Sequence, residues 1–324
     1  MRIRCFLSRK VHLIWVGRTL AGLFSQPDSH ATLEFADWLE GEHSIAVEVD
    51  GTRLGIEMND QTYEWDPGLL DWCDVYAKRN IDPAWKGLHH EKVIPYGIHL
   101  AAHSRRSAAA VVGAIVAGYP RGIRVKPVDI YRYLVTPHWR DFEIHPSLPV
   151  DETILYQTRV WEPSEAPGDE IINTERLDLL RALKREFGPR LVGGLVPSEY
   201  ARTHFPELTT AMPTRQPQYV AWAKRPAIAI YTRGLFGAIA IKMSEFLAGS
   251  KCIVSDPIRN VLTAPLDHVL VYRTPDECVA HCARLLGDPK LREAQREASW
   301  EYYKAYIQTP TAIGRILDIA RQWK

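Results

Sequence analysis

From residue 152 onward the sequence alternates short apolar runs with segments of helical pattern, and this alternation constrains the fold more than any other feature. "TILYQTRVW" reads as a strand, "NTERLDLLRALKREFG" as a helix and "RLVGGLV" as a strand. "QYVAWAKRP" follows as a short helix, "AIAIYT" as a strand, "GAIAIKMSEFLAG" as a helix, and "KCIVSD" and "HVLVYR" as strands. The first helix places Leu177, Leu180 and Leu183 on one face, takes Asn173 or Thr174 as its N-cap and stops at Gly188. "TPDECVAHCARLLGD" is a helix capped by Thr274, and the tail is helical with a break near Pro310. Strands and helices in such alternation form βαβ units and a parallel sheet covered on both faces. Ligands of these sheets sit beyond the carboxyl ends of the strands, here the loops after Val160, Val196, Thr232 and Ser255.

Residues 1–150 lack that rhythm. "HSIAVEVDGTRLGIEMND" alternates apolar and polar residues on both sides of Asp50-Gly51, a hairpin signature. "CDVYAKRN" and "KVIPYGIHL" read as short strands, and "AAAVVGAIVAGYP" as a buried helix or strand. Pro127, Pro137, Pro146 and Pro149 punctuate a loop-rich boundary. The expectation is an α/β chain of two domains, 1–150 and 151–324, the second with a parallel sheet.

Composition narrows the partners. Net charge is +1, with 17 Lys/Arg against 18 Asp/Glu in residues 1–150 and 23 against 21 in the rest. No basic field serves a nucleic-acid backbone, so no nucleic acid is expected. Cys5, Cys73, Cys252, Cys278 and Cys282 form no disulfide framework, and their odd count suits reduced thiols and a cytoplasmic location. The apolar run Val11 to Gly17 is too short for a signal peptide, and no stretch reaches the roughly 20 apolar residues of a membrane span. The basic first turn and Trp15 leave room for peripheral membrane contact.

"YTRGLFGAIAIKMSEFLAGSKCIVSD", residues 231–256, carries the strongest candidate site. A turn with Arg233, Gly234 and Gly237 is expected to lead into a helix whose N-terminus offers unpaired N–H groups to an anion. Lys242 and Glu245 lie three apart on one face of that helix, and a carboxylate at such a crevice accepts hydrogen bonds from ribose hydroxyls. The same pattern also describes a turn and a solvated surface pair, and neither G-x-G-x-x-G nor G-x-x-x-x-G-K-[ST] occurs. His99 and His103 stand four apart without the Glu of a zinc motif or a third ligand, so no metal site is expected. Cys278, His281 and Cys282 fall on one turn of a core-facing helix, which suits buried thiols. The absent G-x-S-x-G elbow argues against an α/β-hydrolase.

The order of "YQTRVWEP", "RLVGGLVPSEYA", residues 231–256, "VLVYRTPDECVAHCARLLGD" and "WEYYKAYIQTP" resembles the carboxyl-terminal domain of GT-B glycosyltransferases of group 1. The resemblance covers roughly the last 170 residues. It implies two Rossmann-like domains, the N-terminal one atypical, with the last helix crossing back to the first domain. It also implies sugar transfer from a nucleotide-sugar donor, a UDP- or GDP-sugar, to a glycan, lipid or protein acceptor, without a cofactor or metal. Glu245 matches the family's second motif glutamate, which holds the donor ribose, and Arg159 matches a basic position that meets the diphosphate. The family's first motif glutamate falls at Gly237 here, and "VHLIWVGRTLAG" stands where the family has its first strand and glycine-rich loop. With a transferase chemistry the leaving diphosphate would meet Arg159, Arg233 and the Gly234–Gly237 turn, and an inverting base would be Asp60 or, second, Asp74. A nucleotide-sugar epimerase or phosphorylase of the same fold, and a non-catalytic binding protein, stay open as alternatives.

Overall fold

The computed structural model describes residues 1–62, 65–123 and 125–323. It is an α/β chain that divides into two units, Met1–Asp141 with Arg259–Pro265 and Lys304–Lys324, and Phe142–Ile258 with Leu266–Tyr303. The division falls at Asp141/Phe142, and the segment from Lys304 onward belongs to unit 1.

Unit 1 begins with β1 (Arg2–Ser8), α1 (Leu13–Leu23) and β2 (His30–Ala36), a βαβ unit with β1 and β2 parallel. The opening "VHLIWVGRTLAG" is therefore mostly helix, not a strand and glycine loop. Leu13, Val16, Leu20 and Leu23 recur at helical spacing and are buried. A hairpin of β3 (Ser44–Val49) and β4 (Thr52–Glu57) follows. Its turn residues Asp50 and Gly51 have φ of 47° and 93°, the left-handed pair that matches the twist of paired strands. Next come α2 (Pro67–Trp72), β5 (Val75–Lys78), β6 (Val93–Pro95), α3 (Arg105–Gly118) and α4 (Pro127–Val135). The sheet order is β2-β1-β3-β4-β5-β6, with β3 antiparallel to both neighbours and the other pairs parallel. This mixed sheet is the atypical feature of the first unit. The ambiguous run 108–120 resolves as α3, started by a Ser104–Ser107 capping box.

Within the unit 1 core lies one ionic cluster. Lys78 Nζ reaches Glu57 Oε1 and Oε2 at 2.8 and 2.9 Å, and Tyr76 Oη donates to Glu57 Oε2 at 2.6 Å. Burial lifts the Glu57 carboxyl above its usual range, against the opposing pull of Lys78 and Tyr76.

Unit 2 alternates as expected: β7 (Asp151–Thr158), α5 (Ile171–Phe187), β8 (Leu191–Leu195), α6 (Glu199–His204), α7 (Gln216–Ala223), β9 (Pro226–Tyr231), α8 (Lys242–Ala248), β10 (Cys252–Ser255), β11 (Leu270–Val271), α9 (Pro275–Gly287) and α10 (Pro289–Tyr302). The sheet is parallel throughout, in the order β8-β7-β9-β10-β11. Counted within the unit this is 2-1-3-4-5, a doubly wound order whose switch point lies between β7 and β9. β9 and β10 are buried at every residue, as strands covered on both faces must be. Gly193 of β8 runs so close to β7 that a Cβ there would collide with the Tyr156 carbonyl.

One local expectation changes. α5 starts at Ile171, so Asn173 is not its cap; the Asn173 side chain instead brackets Trp161, accepting from its N at 2.9 Å and donating to its O at 2.7 Å. The tail breaks near Pro310 as expected: a wide helical turn at Tyr303–Ile307 ends at a bend at Gln308, and α11 (Thr309–Gln322) starts with Pro310 in its first turn. In unit 1, α11 packs on α1, where Gly22 leaves room for Ile313.

Candidate functional site

A cavity of about 350 Å³ opens in unit 2 at the carboxyl ends of β7 and β9. That is the switch point at which doubly wound sheets bind their ligands. Of the residues singled out in the sequence, Arg159, Gly234, Lys242 and Glu245 line it. Arg159 is exposed at the end of β7, with its guanidinium 5.0 Å from the Trp161 ring.

Glu245 and Lys242 share one face of α8, and both point into the cavity wall. Lys242 Nζ donates to Tyr219 Oη at 2.7 Å. Burial raises the Glu245 carboxyl; Lys242 nearby and hydrogen bonds from Tyr219 and Gln216 pull it partly back. Burial likewise lowers the Lys242 ammonium, opposed by Glu245. The group is thus a buried acid–base cluster on the cavity wall, not the solvated surface pair that the spacing also allowed.

Five lining side chains carry buried polar atoms without a hydrogen-bond partner: Gln157 Nε2, Trp161 Nε1, Arg176 Nε, Gln216 Oε1 and Glu245 Oε2. Buried polar groups are ordinarily paired, and leaving each one unpaired costs about 1 to 3 kcal/mol. The first three are donors, placed on β7, just after it and on α5; the last two are acceptors, on α7 and α8. Donors and one cation suit phosphate oxygens, whereas acceptors suit hydroxyls.

Arg176 was not legible as a site residue. Its guanidinium is buried and spans the switch point, donating to the Arg159 carbonyl at 2.7 Å and to the Arg233 carbonyl at 2.6 Å. One signal existed: Arg176, Leu180 and Leu183 follow helical core spacing, so a cation occupies an apolar position. Gln157 and Gln216 had no such signal.

The glycine turn differs from expectation. α8 begins at Lys242, five residues after Gly237, so no α-helix N-terminus stands at Gly234–Gly237, only a single 3₁₀ turn, Leu235–Gly237. The turn's own N–H groups are largely consumed: Arg233 N donates to Asp256 Oδ2 at 2.8 Å, Gly234 N to the Ala238 carbonyl at 2.8 Å, and Phe236 N to Asp169 Oδ2 at 2.9 Å. Phe236 sits at φ 56°, a left-handed conformation that this bonding holds in place. The Arg233 guanidinium is committed to Asp169 at 2.8 Å and Glu175 at 3.0 Å. Gly237, at φ 76°, is outside the cavity lining. Below Arg233, Asp256 is pushed up to about 6 by burial, with the Arg233 N–H and the Arg233 and Arg176 charges acting against it.

Asp60 belongs to unit 1, where its Oδ1 accepts from Arg79 at 2.6 Å and from Asn80 at 3.4 Å. Asp74 pairs with Arg53 at 3.0 Å. Trp15 is half-buried under the Arg79 guanidinium, 4.8 Å from its ring, so it is not a free membrane contact. All five cysteines are buried and free. Among the described residues no group of three or more His, Cys, Asp or Glu is arranged to hold a metal ion, and no helix is long and apolar enough to cross a membrane.

No family model and no curated protein matches this chain in sequence. In chain path it is similar to the C-terminal domain of a glycosyl transferase group 1 family protein (LpcC) from Francisella tularensis, at 10% identity and TM-score 0.38, over 55% of this chain and 97% of that one. It is similar to the S. aureus MnaA-UDP co-structure at 10% identity and TM-score 0.44, over 98% of this chain and 95% of that one. It is also similar to WaaG, a glycosyltransferase involved in lipopolysaccharide biosynthesis, at 10% identity and TM-score 0.41, over 93% of this chain and 94% of that one. These likenesses describe chain path alone.

Proposed function

We propose that the switch-point cavity of unit 2 binds the nucleoside diphosphate of an activated sugar, and that the protein is a GT-B-type glycosyltransferase. The observation that carries this reading is the set of five unpartnered buried atoms on residues that line one cavity together with Arg159 and Lys242, three of them donors and two acceptors. The donor ribose places its hydroxyls on Glu245 and Gln216, and the diphosphate lies against Arg159, Arg176, Gln157 and Trp161. Positive charge and N–H donors held at the diphosphate stabilise it as it leaves. In transfer, the acceptor oxygen bonds to the anomeric carbon, the bond from that carbon to the diphosphate oxygen breaks, and a base takes the acceptor proton. Asp60 is the proposed base in an inverting reaction. The binding half of this mechanism needs no metal, since fixed cations and donors face the phosphates.

The test is calorimetric titration of UDP, GDP, CMP and ADP without metal into the parent, Glu245→Ala, Arg159→Ala and Asp60→Asn. One nucleotide should bind selectively, and loss of Glu245 or Arg159 should weaken it at least about tenfold, the value of one good polar contact. Asp60→Asn should bind as the parent does while sugar transfer falls by roughly a hundredfold or more. Absence of binding to all four nucleotides would end the sugar-transfer reading. Selective binding with no transfer or donor cleavage would leave a binding protein built on the same fold.

A further inference from the structure

Helices on the outside of a sheet ordinarily turn polar side chains to water. In unit 1, α3 and α4 do the opposite. After its first turn, α3 exposes Ala109, Val112, Gly113, Val116 and Ala117, a stripe at helical spacing without a single charge. Val116 is 67% exposed, Tyr119 just after the helix 61%, and Tyr131 on α4 65%. Seven of the sixteen large apolar side chains exposed among the described residues fall within positions 105–135, and α3 and α4 are tied together where Tyr133 Oη donates to Ser107 Oγ at 2.9 Å.

Charge concentrates on the same stretch. Residues 105–135 contain six Lys/Arg against Asp129 alone, although the whole chain has 40 against 39, so the remainder is net acidic. Arg105, Arg106, Arg121 and Lys126 are exposed, and none is in an ion pair among the described residues. Arg132 lies 4.0 Å from Asp129. Apolar and aromatic residues flanked by unpaired cations fit the boundary between anionic headgroups and acyl chains. A second copy of the chain fits poorly, because a two-fold contact would press two cationic faces together.

We propose that the α3–α4 face docks on an anionic lipid bilayer, with Val112, Val116, Tyr119 and Tyr131 entering the interface and Arg105, Arg106, Arg121 and Lys126 meeting lipid phosphates. This surface is distinct from the nucleotide cavity, and the proposal stands or falls independently of what that cavity binds.

The test is co-sedimentation of the full chain with vesicles of phosphatidylcholine alone or with phosphatidylglycerol added. The parent should bind the anionic vesicles and dissociate as salt is raised. Val112→Asp/Val116→Asp and Arg105→Glu/Arg106→Glu should each reduce partitioning at least about tenfold. All four positions are exposed, so the melting temperature of both variants should match the parent. The idea is overturned by no binding to anionic vesicles at low salt, by binding that the Val112→Asp/Val116→Asp variant retains in full, or by equal binding to neutral vesicles. A parent dimer in light scattering that the same substitutions dissociate would instead assign the face to a second copy.

Discussion

Glu245 is a residue at which binding and stability pull in opposite directions. Burial holds its carboxyl above the usual range, so the folded state keeps its proton to higher pH than the unfolded chain does. A group raised in this way supplies stability that is complete at low pH and is lost as pH rises through its folded pKa. Glu245→Gln, which cannot ionise, should therefore melt at a higher temperature than the parent at about pH 8, with the gap closing toward about pH 4. The same substitution should weaken nucleotide binding, because a neutral amide is a poorer acceptor for hydroxyls than a carboxylate. Scanning calorimetry across pH, paired with the titration, checks both. A melting temperature that falls at pH 8 would make the carboxylate a structural partner of Tyr219 and Gln216. At this scale the sequence pointed to Glu245, Lys242 and Arg159, since each follows a strand or heads a helix at the crevice. Gln157 and Gln216 were silent because an amide in a strand or first turn looks alike whether its partner is water, backbone or ligand.

Among the elements, the β4–β5 pair depends on a side-chain cluster as well as its backbone ladder. Removing one member of a buried ion pair leaves the other charged and desolvated, at a cost of about 3 to 5 kcal/mol. Lys78→Ala should lower stability by that amount in urea titration of the full chain, whereas Lys78→Met with Glu57→Leu should cost much less. If the single and double variants lose equally, the cluster is not what holds the pair. The helix after the glycine turn shows where element reading fails. "GAIAIKMSEFLAG" carries helical spacing from Ala238, yet α8 forms only from Lys242. Asp169, far upstream in sequence, accepts from Phe236 N and Arg233 and holds the turn in a non-helical path. Propensity within a window cannot register a hydrogen bond that comes from outside it.

On the scale of the whole molecule, the two units give nucleotide binding an address. Ligand that binds the folded state alone stabilises it by roughly 2.7 kcal/mol at a hundredfold excess over Kd. Hydrogen exchange should slow around residues 157–161, 174–178, 216–220 and 242–246, the segments that carry the unpartnered atoms. Protection confined instead to residues 40–67, around the acidic hollow of unit 1 that Glu42, His43 and Asp66 line, would move the site to that unit. The sequence by itself determined the alternation of strands and helices and the parallel sheet of unit 2, the hairpin at Asp50-Gly51 and the capped helix after Thr274. Those features follow from apolar period, left-handed turn residues and capping chemistry, all local quantities. Only the tertiary structure decided that β3 pairs antiparallel with β1, that Arg176 bridges the ends of β7 and β9, and that Arg233 is spent on Asp169 and Glu175. These are contacts between residues 17 to 64 positions apart, and their partners are chosen by which strands and loops meet in space, not by any pattern along the chain.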